Sequence, residues 1–276
     1  MATLSKEEPK NTASQAKNML IEQTLFGTVD KVQEAIDLLR QHEPPEGYFV
    51  AFSGGKDSVV VYDLVKRSGV KHEPHYHVMT IEPPELLDFV KTNYPEIILD
   101  YPQLSMYQLI VKYKTPPLRG ARYCCSELKA KHGKGRLIVT GIRAQESSRR
   151  AKRKIFEPSR DNQGYFLHPL FYWTASDIWQ YIHENNLPYC RLYDEGYKRI
   201  GCVLCPFLSY QQALLELERQ PAVCDYIRRA CNAAFDLHKD KYHSKEIKSG
   251  DDLFNWYIQS RKHTHKIPDG ISLFAE

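Results

Sequence analysis

The sequence has 276 residues, 42% of them hydrophobic and 12% aromatic, and carries a formal net charge of +4. That length suits one large domain, or a domain with a smaller appendage, and the apolar content is enough for a substantial core. The weak positive charge permits a phosphate-rich or nucleic-acid partner without demanding one. No stretch approaches the roughly 18 consecutive apolar residues of a membrane span. The polar start, MATLSKEEPKNTASQAKN, lacks the apolar segment of a secretory signal. A cytoplasmic chain with no membrane partner is therefore expected. The seven cysteines are an odd count, which argues against a disulfide framework and for metal or redox chemistry where cysteines cluster.

Residues 1–17 read as a polar tail. From Ala16 to Gln41 apolar residues recur at helical spacing (Met19, Leu20, Leu25, Val29, Val32, Ile36, Leu39), predicting one or two helices with Gly27 as a break. A proline-rich turn, Pro44-Pro45, leads into Tyr48 to Ser58, where five apolar or aromatic residues run into Ser53-Gly54-Gly55-Lys56-Asp57-Ser58. The helical stripe of Val59, Val60, Val61, Leu64 and Val65 follows. This is a buried strand, a glycine turn and a helix N-terminus. Paired glycines let backbone approach a ligand, and the open N–H groups of the first helical turn favour an anion. Ser53 and Ser58 add hydroxyls, and Lys56 adds a charge suited to phosphate. The spacing is not that of a Walker A loop.

His75 to Ile81 reads as a second strand, Pro83-Pro84-Glu85 opens a helix, and Ile97 to Leu99 reads as a third strand. Ser105 is placed to cap a helix over 106–111. Arg136 to Thr140 is a fourth strand, ending in Gly141-Ile142-Arg143. The alternation predicts an α/β fold with a doubly wound, mostly parallel sheet. Ligands of such sheets bind beyond the carboxyl ends of the strands. Those ends here are Ser53 to Ser58, Thr80-Ile81-Glu82 and Gly141 to Arg143.

From Arg143 to Arg160 lie arginines 143, 149, 150, 153 and 160 with Lys152 and Lys154, against Glu146 and Glu157. On charge alone this is either a solvated loop or an anion-binding run; arginine forks match phosphate and sulfate oxygens. Thr174 is placed to cap a helix carrying Ile178, Trp179 and Ile182, ending at Asn185-Asn186. The rest is helical in pattern (Tyr210 to Arg219, Ala222 to His238, Asp251 to Ser260), with an irregular tail over 262–276. The expected organisation is a tail over 1–17, a nucleotide-binding α/β domain over 18–210 that carries a cysteine cluster, and a helical extension over 211–276.

Cys124 and Cys125 are adjacent, and Cys202 and Cys205 form a Cys-x-x-Cys flanked by Gly201 and Pro206. The pairs are separated by the 76 residues from Ser126 to Gly201. Four thiolates suit zinc or an iron–sulfur cluster, and softness alone does not choose between them. The other reading of all four is small buried hydrophobes. For Cys190, Cys224 and Cys231, each alone, that reading is preferred.

Taken together, Ser53 to Ser58, Thr80 to Glu85, Gly141-Ile142-Arg143 with Glu146, Ser147 and Arg150, and Arg199 to Cys202 resemble the adenylyl-sulfate and phosphoadenylyl-sulfate reductase family. The resemblance spans roughly residues 45 to 210. It implies the adenine nucleotide alpha hydrolase-like (PP-loop) fold, here with helical N- and C-terminal additions, and the loop is similar to that of the N-type ATP pyrophosphatases. The cysteine pattern is similar to the branch that holds a 4Fe-4S cluster, which favours that cluster over zinc at Cys124, Cys125, Cys202 and Cys205. Reductases of this family carry a nucleophilic cysteine near the C-terminus. This chain ends KIPDGISLFAE, and its last cysteine is Cys231.

The expected chemistry is ATP cleavage to AMP and pyrophosphate in sulfur transfer, with DNA or tRNA among the acceptors and a cysteine desulfurase or thioredoxin as a protein partner. Ser53, Gly54, Gly55, Lys56, Asp57 and Ser58 would cradle the leaving phosphates, with Asp57 holding Mg²⁺ and Lys56 neutralising charge. Thr80, Ile81 and Glu82 would lie along the adenosine. Gly141 would line the crevice, and Arg143, Arg149 and Arg150 would hold the α-phosphate or acceptor. One alternative is reduction of an adenylylated sulfate nucleotide by Cys231 or an external thiol. Another is a non-catalytic nucleotide- or nucleic-acid-binding subunit, with a C-terminal docking surface.

Overall fold

The computed structural model describes residues 20–24, 27–129, 133–159, 163–242 and 246–262. The expectations for the N-terminal tail, for Arg160 and for the end of the chain after Lys262 lie outside these residues.

The chain opens with a hairpin of β1 (Ile21–Thr24) and β2 (Gly27–Asp30), paired antiparallel from Ile21↔Asp30 to Thr24↔Gly27. Helix α1 (Lys31–Gln41) follows at once, because Asp30 accepts from the N–H groups of Val32 and Gln33. Within the stretch read as helical over Ala16 to Gln41, residues 21–24 and 27–30 are strands and only Lys31–Gln41 is a helix among the described residues. The N-terminal addition is a hairpin and one helix.

Strand β3 (Tyr48–Ala51) is buried along most of its length and runs into α2 (Lys56–Ser68), which Gly69 stops in the left-handed region at φ 76°. β4 (His72–His77) ends earlier than the reading of His75 to Ile81, which leaves Thr80 to Glu82 in the turn before α3 (Pro84–Asn93). β5 (Ile98–Asp100) leads to α4 (Met106–Tyr113), held by a Ser105–Gln108 capping box. Cys124 and Cys125 sit on a short helix, α5 (Tyr123–Leu128), that the sequence reading missed. β6 (Leu137–Val139) is the fourth strand.

After α6 (Ser148–Ala151), the charged stretch contributes two strands not anticipated, β7 (Phe156–Pro158) and β8 (Tyr165–Leu167). α7 (Ala175–Glu184) has its Thr174–Asp177 capping box. α8 (Tyr210–Arg219), α9 (Pro221–Leu237) and α10 (Gly250–Gln259) follow.

The main sheet has the order β5-β4-β3-β6-β8-β7, parallel except for the antiparallel edge strand β7. The chain steps outward from β3 through β4 to β5, then returns to place β6 on the other side of β3. The β3–β6 boundary is thus the point where strand order reverses, and sheets of this kind bind ligands at such a point, beyond the carboxyl ends of the strands.

Two hydrophobic clusters support this frame. One joins the sheet to α1, α2, α3 and α7 through Tyr48, Val50, Leu64, Val90 and Ile178. The other gathers Met79, Ile81, α4, α5, Val203 and Leu204 with α9 and α10, so the cysteine-bearing segments share a core with the C-terminal helices. Among the described residues, no helix is long and apolar enough to cross a membrane.

Candidate functional site

At the strand-order reversal the β3–α2 turn needs a glycine at position 54. Gly54 has φ +70°, and a Cβ there would stand 2.7 Å from the Leu86 side chain. Ser58 ties the turn together: its hydroxyl accepts from the Ser53 N–H at 3.2 Å and donates to the Gly55 carbonyl at 2.8 Å. Gly55, the cap residue of α2, offers no side chain to the helix. The cap comes from elsewhere, because the Lys56 N–H donates to the hydroxyl of Tyr193 at 3.0 Å.

Three charged side chains meet above this turn. Lys56 Nζ lies 2.8 Å from Asp57 Oδ2, and Arg143 Nε lies 2.6 Å from Asp57 Oδ1. Arg143 is 4% exposed and is fixed further by Gln145 Oε1 at 3.1 Å and the Trp173 carbonyl at 3.3 Å. Gly141, two residues past β6, packs directly on the backbone of Asp57. The sequence-predicted Ser53 to Ser58, Gly141 and Arg143 therefore converge, and Asp57 bridges the two cations. Arg149 and Arg150 lie on α6; Arg149 is exposed, and Arg150 is paired with Glu146.

Beside these, Thr140 at the end of β6 meets His168 at the end of β8, Oγ1 to Nδ1, at 2.7 Å. His168 is fully buried, and its other ring nitrogen is 3.5 Å from Glu157, which also pairs with Arg153. Burial, assisted by Arg153 and Arg150, pushes the imidazole down to about 4.

Thr80 to Glu82 forms the wall on the β4 side. Thr80 is held at φ 63°, a conformation that strains a β-branched residue by about 1–3 kcal/mol. Its hydroxyl accepts from the Met106 N–H at 2.8 Å. The buried Glu82 carboxylate accepts from the N–H groups of Met79 and Ile81, both at 2.9 Å. Glu82 thus shapes the turn, and its oxygens are already engaged by backbone.

The same turn touches the cysteines, since the Ile81 carbonyl accepts from the Val203 N–H at 2.8 Å. Leu204, at φ 52°, makes the bend between Cys202 and Cys205, and Tyr257 and Arg261 donate to its carbonyl. Cys124 Sγ lies 3.9 Å from Cys125 Sγ. Cys124, Cys125 and Cys202 pack into one hydrophobic cluster, and the Cys205 N–H donates to the Cys202 carbonyl at 3.3 Å. The four thiols therefore share one neighbourhood.

Within the first pair Cys125 ionises first. It accepts from the Cys124 thiol and lies near Lys129 and Arg122, which hold its thiol below the ordinary range against the opposing effect of burial. Burial pushes Cys202 up to about 12. Among the described residues no three His, Cys, Asp or Glu side chains close around a position fit for a single metal ion. Cys190, Cys224 and Cys231 are buried hydrophobes, as their isolation suggests. Burial in α9 raises the Cys231 thiol well above its ordinary range.

The phosphoadenosine phosphosulfate reductase domain family matches residues 47–208, from the start of β3 to just past the Cys202–Cys205 turn. The chain belongs to this family. The adenosine 5′-phosphosulfate reductase of Oceanobacillus iheyensis is 29% identical over 168 residues, covering 56% of this chain and 69% of that protein. Adenosine 5′-phosphosulfate reductase 2 of Bacillus subtilis is 26% identical over 197 residues, covering 65% and 82%. Among solved structures, the phosphoadenylyl-sulfate reductase of Candida auris in a phosphate complex aligns with a TM-score of 0.49 at 19% identity, over 61% of this chain and 88% of that one. Within the family frame the residue that sequence reasoning missed is Tyr193, which belongs to no phosphate motif and reaches the loop from 137 positions away.

Proposed function

We propose that this member of the family is a PP-loop enzyme that cleaves ATP between the α- and β-phosphates and transfers the adenylyl group in sulfur metabolism. The observation that carries this reading is the Lys56–Asp57–Arg143 array over an intact Ser53 to Ser58 turn, at the reversal of strand order. An acceptor oxygen attacks the α-phosphorus, the bond to the α–β bridging oxygen breaks, and pyrophosphate leaves with that bond's electrons. The Lys56 side chain and the N–H groups of Asp57 and Ser58 in the first turn of α2 would hold the leaving phosphates. Arg143 would face the α-phosphate. Incoming phosphate would compete with Asp57 for both cations, freeing the carboxylate to share Mg²⁺. Thr80 to Glu82 would lie along the adenosine, with Arg149 and Arg150 at the rim for the acceptor.

We further propose that Cys124, Cys125, Cys202 and Cys205 hold a 4Fe-4S cluster. The donor set supports it: four thiols from two segments share one neighbourhood, with Lys129 and Arg122 beside Cys125 to favour thiolate. Four thiolates would suit zinc equally well; the cluster is preferred because the cysteine pattern resembles the cluster-binding branch of the family. When bound, such a cluster supplies electrons or sulfur, or braces the Ile81–Val203 contact. DNA or tRNA as acceptor draws support from the exposed Arg149, Lys152 and the neighbouring Lys154. A cysteine desulfurase would fit as sulfur donor.

The test is incubation with α-labelled ATP, Mg²⁺ and candidate acceptors under anaerobic conditions. Formation of labelled AMP or adenylylated acceptor together with pyrophosphate is the expected result, and the absence of both rejects the reading.

A second reading, reduction of an adenylylated sulfate, is favoured by the names of the relatives. Cys231 is 0% exposed, so the attacking thiol would come from a partner such as thioredoxin. Sulfite release from adenylyl sulfate with a thiol donor, in the absence of ATP cleavage, would select it.

A further inference from the structure

The N-terminus of α2 is capped across the fold. Gly55 has no side chain to offer, and the hydroxyl of Tyr193 accepts the Lys56 N–H at 3.0 Å in its place. The hydroxyl overhangs the phosphate turn, since a Cβ on Gly55 would stand 3.4 Å from it. The Tyr193 ring lies 5.9 Å from Lys56 Nζ, within cation–π range. Its own position is fixed by edge-to-face packing on Trp179 at 5.1 Å and by the one-turn helix Arg191–Tyr193. Burial keeps the phenol protonated at neutral pH. A phenol that accepts through one lone pair still has its own O–H to donate.

We infer that Tyr193 is a phosphate ligand of this site: its hydroxyl holds the first N–H of α2 in place and donates its own proton to an oxygen of the anion in the Ser53 to Ser58 turn. This rests on the reading of the turn as a phosphate site and adds to it a specific contact. The hydroxyl stands at the helix head over Gly55, where it would add a side-chain donor to the backbone N–H groups facing a bound pyrophosphate. Tyr189 is a matched control, because its ring packs on the same Trp179 while its hydroxyl points away to Asp194.

The experiment is calorimetric titration of the full chain with magnesium pyrophosphate, comparing wild type, Tyr193→Phe and Tyr189→Phe. Tyr193→Phe should weaken pyrophosphate about tenfold, equivalent to about 1.4 kcal/mol, whereas Tyr189→Phe should bind as wild type. Wild-type affinity in Tyr193→Phe overturns the inference and leaves the phosphate site standing. Equal weakening in both variants also overturns it, by showing that only the aromatic cluster matters. A wild type that does not bind pyrophosphate overturns the phosphate site and this inference with it.

Discussion

Gly141 lies so close to Asp57 that a Cβ at residue 141 would stand 3.0 Å from the Asp57 carbonyl oxygen. The two residues come from turns on either side of the strand-order reversal, so this contact fixes how closely those turns approach. Gly141→Ala would push the head of α2 away from β6 and lengthen the Arg143–Asp57 pair. The expected result is at least a tenfold loss in the rate of pyrophosphate release, with a stability cost of only about 1–2 kcal/mol. Parallel turnover and urea-unfolding measurements check both parts.

Arg143 is buried, and its partner Asp57 is mostly so. Removing the guanidinium leaves a carboxylate with Lys56 alone and strips the Trp173 carbonyl of a donor. Arg143→Ala should cost about 3 kcal/mol of folding stability. In the Asp57→Asn background the same change should cost markedly less, because the charge left unpaired is gone. A double-mutant cycle by denaturant titration reads the difference.

If the four clustered cysteines hold iron and sulfide, Cys202→Ser or Cys205→Ser should remove most of both from anaerobically purified protein. Cys190→Ser should keep them, since Cys190 is isolated and its thiol donates weakly to the Glu85 carbonyl. Iron and acid-labile sulfide assays, with zinc measured in the same samples, distinguish the cases. Equal iron in all three variants would reject the assignment.

His168 makes stability depend on pH. Its folded-state value is pushed down to about 4 from an ordinary 6.5, so between those limits the unfolded chain binds more protons. The contribution is fully present above about pH 6.5 and drains away as pH falls toward 4. Two and a half pH units correspond to about 3 kcal/mol. His168→Gln, which keeps an amide to meet Thr140 and Glu157, should flatten that part of the stability profile measured by urea unfolding from pH 4 to 8.

The parts of the site that were legible in the sequence are those written as local chemistry. Ser53 to Ser58 announces itself through glycine and hydroxyl spacing behind a hydrophobic strand. Gly141 to Arg143 follows a run of β-branched residues, and the caps at Ser105 and Thr174 follow from side-chain acceptors ahead of apolar stripes. The hairpin of β1 and β2 was hidden because Leu20, Leu25 and Val29 satisfy a helical period as readily as a strand. β7 and β8 were hidden by their shortness and by charge. Glu157 looks like a solvated carboxylate in sequence, yet it turns inward to Arg153 and His168. Tyr193 carried no local signal, because its role is made by a contact with the first residue of a helix far upstream.

The pairing of Asp57 with Arg143 spans 86 positions, and the cap from Tyr193 spans 137. Such contacts form only after the parallel sheet has closed its loops, which makes them late events in folding. The crevice therefore does not pre-exist in a half-folded chain. A nucleotide that binds there selects the finished topology, and by mass action it should raise the unfolding midpoint and slow proteolysis of the whole sheet.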